Sequence, residues 1–95
     1  DSALDFSNRH LLMQHIRNIV SDGRCALTCI HSPELALEYC DNIFLMKSGS
    51  ILSTINTHTD SLDIINEKMS LIYDNINVIE CTDIHHKTHR VVVAL

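Results

Sequence analysis

Cys25-Ala26-Leu27-Thr28-Cys29-Ile30 is short, continuous and nearly all apolar, and it stops abruptly at His31-Ser32-Pro33. A strand with one wet face alternates apolar and polar residues; a run without alternation suits a strand covered on both faces, as in a parallel sheet with helices above and below. Such a strand also needs a neighbour on each edge. A chain of 95 residues buries only roughly 60–65% of the surface its unfolded form exposes, so a self-sufficient version would be marginal. The run is therefore expected as part of a larger α/β domain whose earlier strands lie outside this chain.

Composition narrows the function. Hydrophobic residues make up 45% and charged residues 20%, with two glycines and one proline, which excludes a disordered tail or a collagen-like repeat. A net charge of −5 and 4% aromatics argue against a nucleic-acid surface. No apolar stretch approaches the about 20 residues of a membrane span, and no basic-then-apolar leader opens the sequence. A soluble, intracellular chain is expected. Cys25, Cys29, Cys40 and Cys81 are too sparse for a disulfide scaffold; reduced, mostly buried thiols are expected, and no CxxC pair supports a metal site.

Along the chain, Asp1 to Asp5 reads as a loop. Leu11, Leu12, Ile16, Ile19 and Val20 then recur at helical spacing over 7–20, one buried stripe, with Asp5 or Ser7 as cap and Asp22-Gly23 as stop. After the apolar run, Ser32 is a good N-cap, Pro33 suits the first helical position and Glu34 favours the positive helix end, predicting a helix to about Cys40 that buries Leu35 and Ala36. Ile43–Met46 reads as a strand, Ser48-Gly49 as a tight turn and 50–54 as its return strand. Thr59 or Asp60 caps a helix over 61–73 with Leu62, Ile65, Met69 and Ile72 on its apolar side. Residues 76–81 and 90–95 predict a terminal hairpin.

Three short motifs then fall in order: Ser2-Ala3-Leu4-Asp5 ahead of a helix; a lone His31 after the apolar run; and Asp41 followed by Ile43-Phe44-Leu45-Met46, Ser48-Gly49 and Ile51. In this order the chain resembles the C-terminal portion of the ATP-binding subunit of an ABC transporter, with motifs over roughly residues 1–54 and a weaker likeness beyond. The tail, with Tyr73 and strands ending in Val91-Val92-Val93, is similar to importers of iron complexes, haem or cobalamin. The resemblance implies the C-terminal part of a P-loop NTPase domain: a parallel core strand, antiparallel hairpins and flanking helices, with 1–58 closing the catalytic domain and 59–95 an extension of helix plus β-hairpin.

For the residues, the resemblance implies that Ser2, Ala3, Leu4 and Asp5 form the D-loop at the interface with a second ATP-binding subunit. His31 becomes the switch histidine, touching the γ-phosphate or the attacking water. The family often has an acidic residue after that histidine; here Ser32 takes the place and keeps the capping chemistry. ATP and Mg²⁺ serve the full-length protein, permease subunits are its membrane partners, and its place is the cytoplasmic face of the membrane without direct insertion. No G-x-x-x-x-G-K-[ST] loop, L-S-G-G-Q signature or Asp-Glu-ended strand is present. The chain is thus expected to be a fragment cut beside its own catalytic centre, inactive alone and needing no cofactor.

Other groups invite attention. His85, His86 and His89 lie within five residues and offer imidazoles to Zn²⁺ or Ni²⁺, but a hairpin loop with only Asp83 nearby reads as a solvated turn. Glu34, Glu38 and Asp41 read as a solvated acidic face, and His10 and His15 as surface or half-buried. The competing function is a free-standing small α/β regulatory or metal-binding module without catalysis.

Overall fold

A computed structural model gives the backbone of residues 2–95, with side chains described from Asp5 onward. The order is α1 (Ser2–Val20), α2 (Pro33–Tyr39), β1 (Asn42–Lys47), β2 (Ser50–Asn56), α3 (Leu62–Met69), β3 (Ile76–Thr82) and β4 (Thr88–Ala94). β1 pairs with β2 and β3 with β4, both antiparallel, as two separate two-stranded sheets. The chain is α/β, but its strands form hairpins and none of those described runs parallel to another. Among the described residues, no helix is long and apolar enough to cross a membrane.

Local chemistry explains the element ends. Ser32 is the N-cap of α2, its Oγ accepting the Leu35 N–H at 3.4 Å, and Pro33 fills the first turn, where an N–H would have no helical partner. Ser48 (φ 53°) and Gly49 (φ 79°) are both left-handed, the geometry of a type I′ two-residue hairpin turn, and Lys47 pairs directly with Ser50. The register slips between Leu45 and Met46, leaving Leu52 as an extra residue on β2. α3 is capped by Ser61 rather than by Thr59 or Asp60. Asp60 instead accepts from the Asn56 N–H and from Lys68 Nζ at 2.9 Å. α3 also ends at Met69, short of Tyr73.

The core forms where α2 and α3 meet the two hairpins. Leu37, Leu45, Ile55, Ile65, Met69 and Val78 make one buried cluster, with Ile43, Leu62, Ile72, Tyr73, Ile76 and Val92 packed around it. Ile55 and Ile65 are both 0% exposed. The Asn66 amide joins α3 to β3: its Oδ1 accepts the Val78 N–H at 2.7 Å and its Nδ2 donates to the Val78 carbonyl at 2.9 Å. Buried Thr57 donates its hydroxyl to the carbonyls of Cys40 and Asp41, tying the end of α2 to the end of β2.

Four expectations need correction. Residues 25–30 form no strand; Leu27 is 89% exposed, and no backbone hydrogen bond among the described residues reaches the segment. A strand exists only by pairing, and among the described residues no other strand lies beside it. The thiols are not buried: Cys25 and Cys29 are exposed in this unpaired segment, Cys81 is exposed on β3 and Cys40 is half-buried, all free. The stripe of α1 is largely bare, with Leu11, Leu12 and Ile19 exposed and Met13 the buried residue, because the apolar run lies across an open groove from it rather than packing onto it. Finally, α1 begins at Ser2, so residues 2–5 are helical rather than a loop; Ala and Leu are strong helix formers.

Two outcomes follow for stability. Ile65→Val is expected to cost about 1 kcal/mol in urea unfolding, whereas Ile64→Ala, exposed one position along, costs less than about 0.5 kcal/mol; equal costs would contradict the packing. The hydrogen bond from Lys68 holds the Asp60 carboxyl below its ordinary range, supported by the Asn56 N–H. A lowered carboxyl pKa contributes stability above the unfolded value of about 3.9 and loses it as pH falls through the folded one. The stability gap between wild type and Asp60→Asn should therefore persist at pH 6 and close on acidification below about pH 4.

Candidate functional site

His31 ends the apolar segment and immediately precedes the N-cap of α2. It is exposed, and its ring makes no hydrogen bond among the described residues. It lines an open groove of about 410 Å³ between α1 and the 28–32 segment. Leu12, Met13 and Ile16 of α1 with Ile30 form the apolar floor, and Arg9 stands on the rim. The imidazole is thus presented to solvent at the mouth of a groove, held by the capping of α2 rather than by partners of its own.

Asp5 lies exposed in the first turn of α1, where a carboxylate complements the helix dipole. It does not line the groove with His31. The side chains of Ser2, Ala3 and Leu4 lie outside the described residues. Of the candidate D-loop, only the Asp5 side chain is described, and it lies outside the groove that His31 lines.

The acidic face of α2 is solvated in part, with Glu34 and Asp41 exposed and Glu38 half-buried, but its carboxylates also have partners. Glu34 Oε1 accepts the Val92 N–H at 2.9 Å, and Glu38 Oε1 lies 2.8 Å from His89 Nδ1. His89 belongs to β4, and its Nε2 lies 2.6 Å from Asp83 Oδ2. The hydrogen bonds that His89 makes to Asp83 and Glu38 raise its pKa above the ordinary value, and the contact with Asp83 lowers that of Asp83. His85 and His86 remain exposed in the turn. Among the described residues no group of three or more His, Cys, Asp or Glu side chains is disposed to hold a metal ion. His89, the candidate ligand nearest a carboxylate, is engaged on both ring nitrogens.

A second set of contacts docks α1. Arg17 donates to Asp41 Oδ2 at 2.8 Å, and His58 Nε2 lies 2.7 Å from Asp41 Oδ1. These partners, His58 first, hold the Asp41 carboxyl below its usual range. His10, half-buried, places Nδ1 2.7 Å from the Tyr39 hydroxyl and packs against Phe6; His15 is exposed. Burial raises the Tyr39 and Cys40 pKa values. The Glu38–His89 pairing spans 51 residues, and only the spacing of Glu34 and Glu38 on one face of α2 hinted at it.

Comparison with known proteins finds likeness over about half of the chain. A stretch of 48 residues is 38% identical to the hemin import ATP-binding protein HmuV of Pseudomonas entomophila, covering 50% of this chain and 19% of that protein. The corresponding protein of Pseudomonas fluorescens matches to the same extent. That of Aliivibrio fischeri is 30% identical over 50 residues, 53% of this chain and 19% of its own. The chain spans about a fifth of the length of these curated relatives. No family model matches, and no solved structure matches. Over that half the chain is similar to ATP-binding proteins of hemin import.

Proposed function

We propose that the chain is the C-terminal part of the ATP-binding, ATP-hydrolysing subunit of an ABC importer, with hemin or a related iron complex as the transported solute. The observation that carries this reading is the 38% identity over 48 residues to hemin import ATP-binding proteins. The solvent-facing position of His31 at the end of an apolar run supports it. So does the run itself: apolar residues with unpaired backbone groups suit a strand that inserts between strands supplied by the rest of such a subunit.

In this reading residues 1–58 complete the catalytic domain and 59–95 extend it. Ser2, Ala3, Leu4 and Asp5 face a second ATP-binding subunit in a homodimer, permease subunits hold the assembly at the cytoplasmic face of the membrane, and the chain contacts no nucleic acid and does not itself insert. ATP hydrolysis requires a phosphate cradle, a Mg²⁺ ligand and an oriented water. No phosphate loop is present in this sequence, so in this reading the phosphate cradle and the Mg²⁺ ligand come from the rest of the subunit. His31 contributes an imidazole able to donate to a γ-phosphate oxygen or to orient the attacking water. Ligands of open α/β sheets bind at such strand ends.

The test is a chimera in which this chain replaces the matching portion of the Pseudomonas entomophila protein. The chimera is expected to hydrolyse ATP, and His31→Ala to lower kcat by about 10²-fold or more with little change in ATP affinity. The 95-residue chain alone gives no turnover. A chimera that binds ATP and turns over equally with His31→Ala refutes the role of His31.

A further inference from the structure

We propose that Glu38, His89 and Asp83 form a proton-operated latch fastening the β3–β4 hairpin to α2, closed when His89 carries both ring protons and released on the α2 side when it loses one. This goes beyond the proposed function and does not depend on it.

The geometry is specific. Nδ1 of His89 faces Glu38 Oε1 at 2.8 Å and Nε2 faces Asp83 Oδ2 at 2.6 Å. Carboxylates only accept, so both contacts are hydrogen bonds only if both nitrogens donate, which requires the imidazolium. A neutral ring turns one lone pair toward a carboxylate oxygen. Which contact fails is decided by Asp83. Its Oδ1 accepts the N–H groups of His85 at 2.8 Å and Lys87 at 3.0 Å, so it is fixed to the hairpin turn and cannot swing away without undoing that turn. The single remaining proton therefore stays on Nε2, within the hairpin. The bond that opens is the one to Glu38, which crosses between elements.

The surroundings leave His89 as the titrating member. From α2, Glu34 is occupied by the Val92 N–H. From the turn, the Lys87 ammonium stands 3.9 Å from Glu38 and offsets part of its charge. Across the sheet, neutral Cys81 opposes His89 in register, and Glu80 opposes Arg90. The three latch side chains are 20–32% exposed, enough for protons to exchange and too little for full screening. The His89 pKa is raised. The sign follows: stability from a raised histidine is complete below the unfolded value of about 6.5 and is lost as pH rises through the folded one.

The test is NMR on the labelled 95-residue chain. In the wild type, the His89 ring should titrate above the ordinary histidine value of about 6.5. Amide protection of β4, corrected for intrinsic exchange, should fall by about tenfold between pH 6 and pH 8, a range in which one proton is released. His89→Gln and Glu38→Gln should each flatten that dependence while holding protection near the wild-type level of pH 8. A His89 ring that titrates at or below the ordinary histidine value of about 6.5 overturns the latch, with no variant needed. The same slope in folded His89→Gln does so as well.

Discussion

The inner face of the β1–β2 hairpin has to be buried, and nearly every other placement in the molecule follows from that. A lone two-stranded hairpin is marginal in water; here Leu45 and Ile55 gain cover from Ile65 and Met69 of α3 and from Val78 of β3. The Asn66 amide then satisfies both the N–H and the carbonyl of Val78, so the helix covers the strand without orphaning its polar groups. α2 joins through Leu37, and α1 is attached in turn by Arg17, His10 and Met13 rather than by a broad apolar seam.

Much apolar surface stays uncovered beyond this core. Phe44, Met46, Ile51 and Leu52 on the hairpin, Leu11 and Leu12 on α1 and Leu27 in the apolar segment are all exposed. Contiguous apolar patches on a folded chain mark contact with something else. This agrees with the reading of the chain as a portion of an α/β subunit whose remaining strands cover these faces.

The acidic residues act as connectors, although the chain carries a net charge of −5. Glu34 and Glu38 hold β4, Asp41 gathers Arg17 and His58, Asp60 joins the end of β2 to Lys68, and Asp83 organises the last turn. Each ties together parts of the chain that apolar packing alone leaves loosely joined. Exposed ion pairs add little stability, so their main effect is on orientation.

Local chemistry was largely readable from the residues. The Ser32 cap with Pro33, the Ser48-Gly49 turn, the terminal hairpin and the Ile65–Met69 face of α3 depend on neighbours a few positions apart, whose preferences act before any tertiary contact exists. The place of His31 between an apolar run and a capped helix was legible in the same way. The pairing of residues 25–30, the covering of α1 and the engagement of Glu38 with His89 were not legible. A strand needs a second strand, a stripe needs a facing surface, and an ion pair between residues 38 and 89 needs the chain to fold back; sequence spacing contains none of these distances. Capping, turn type and amphipathic period were thus settled by short-range sterics and hydrogen bonding, while burial, charge pairing and the fate of the apolar run depended on which surfaces the folded chain brings together.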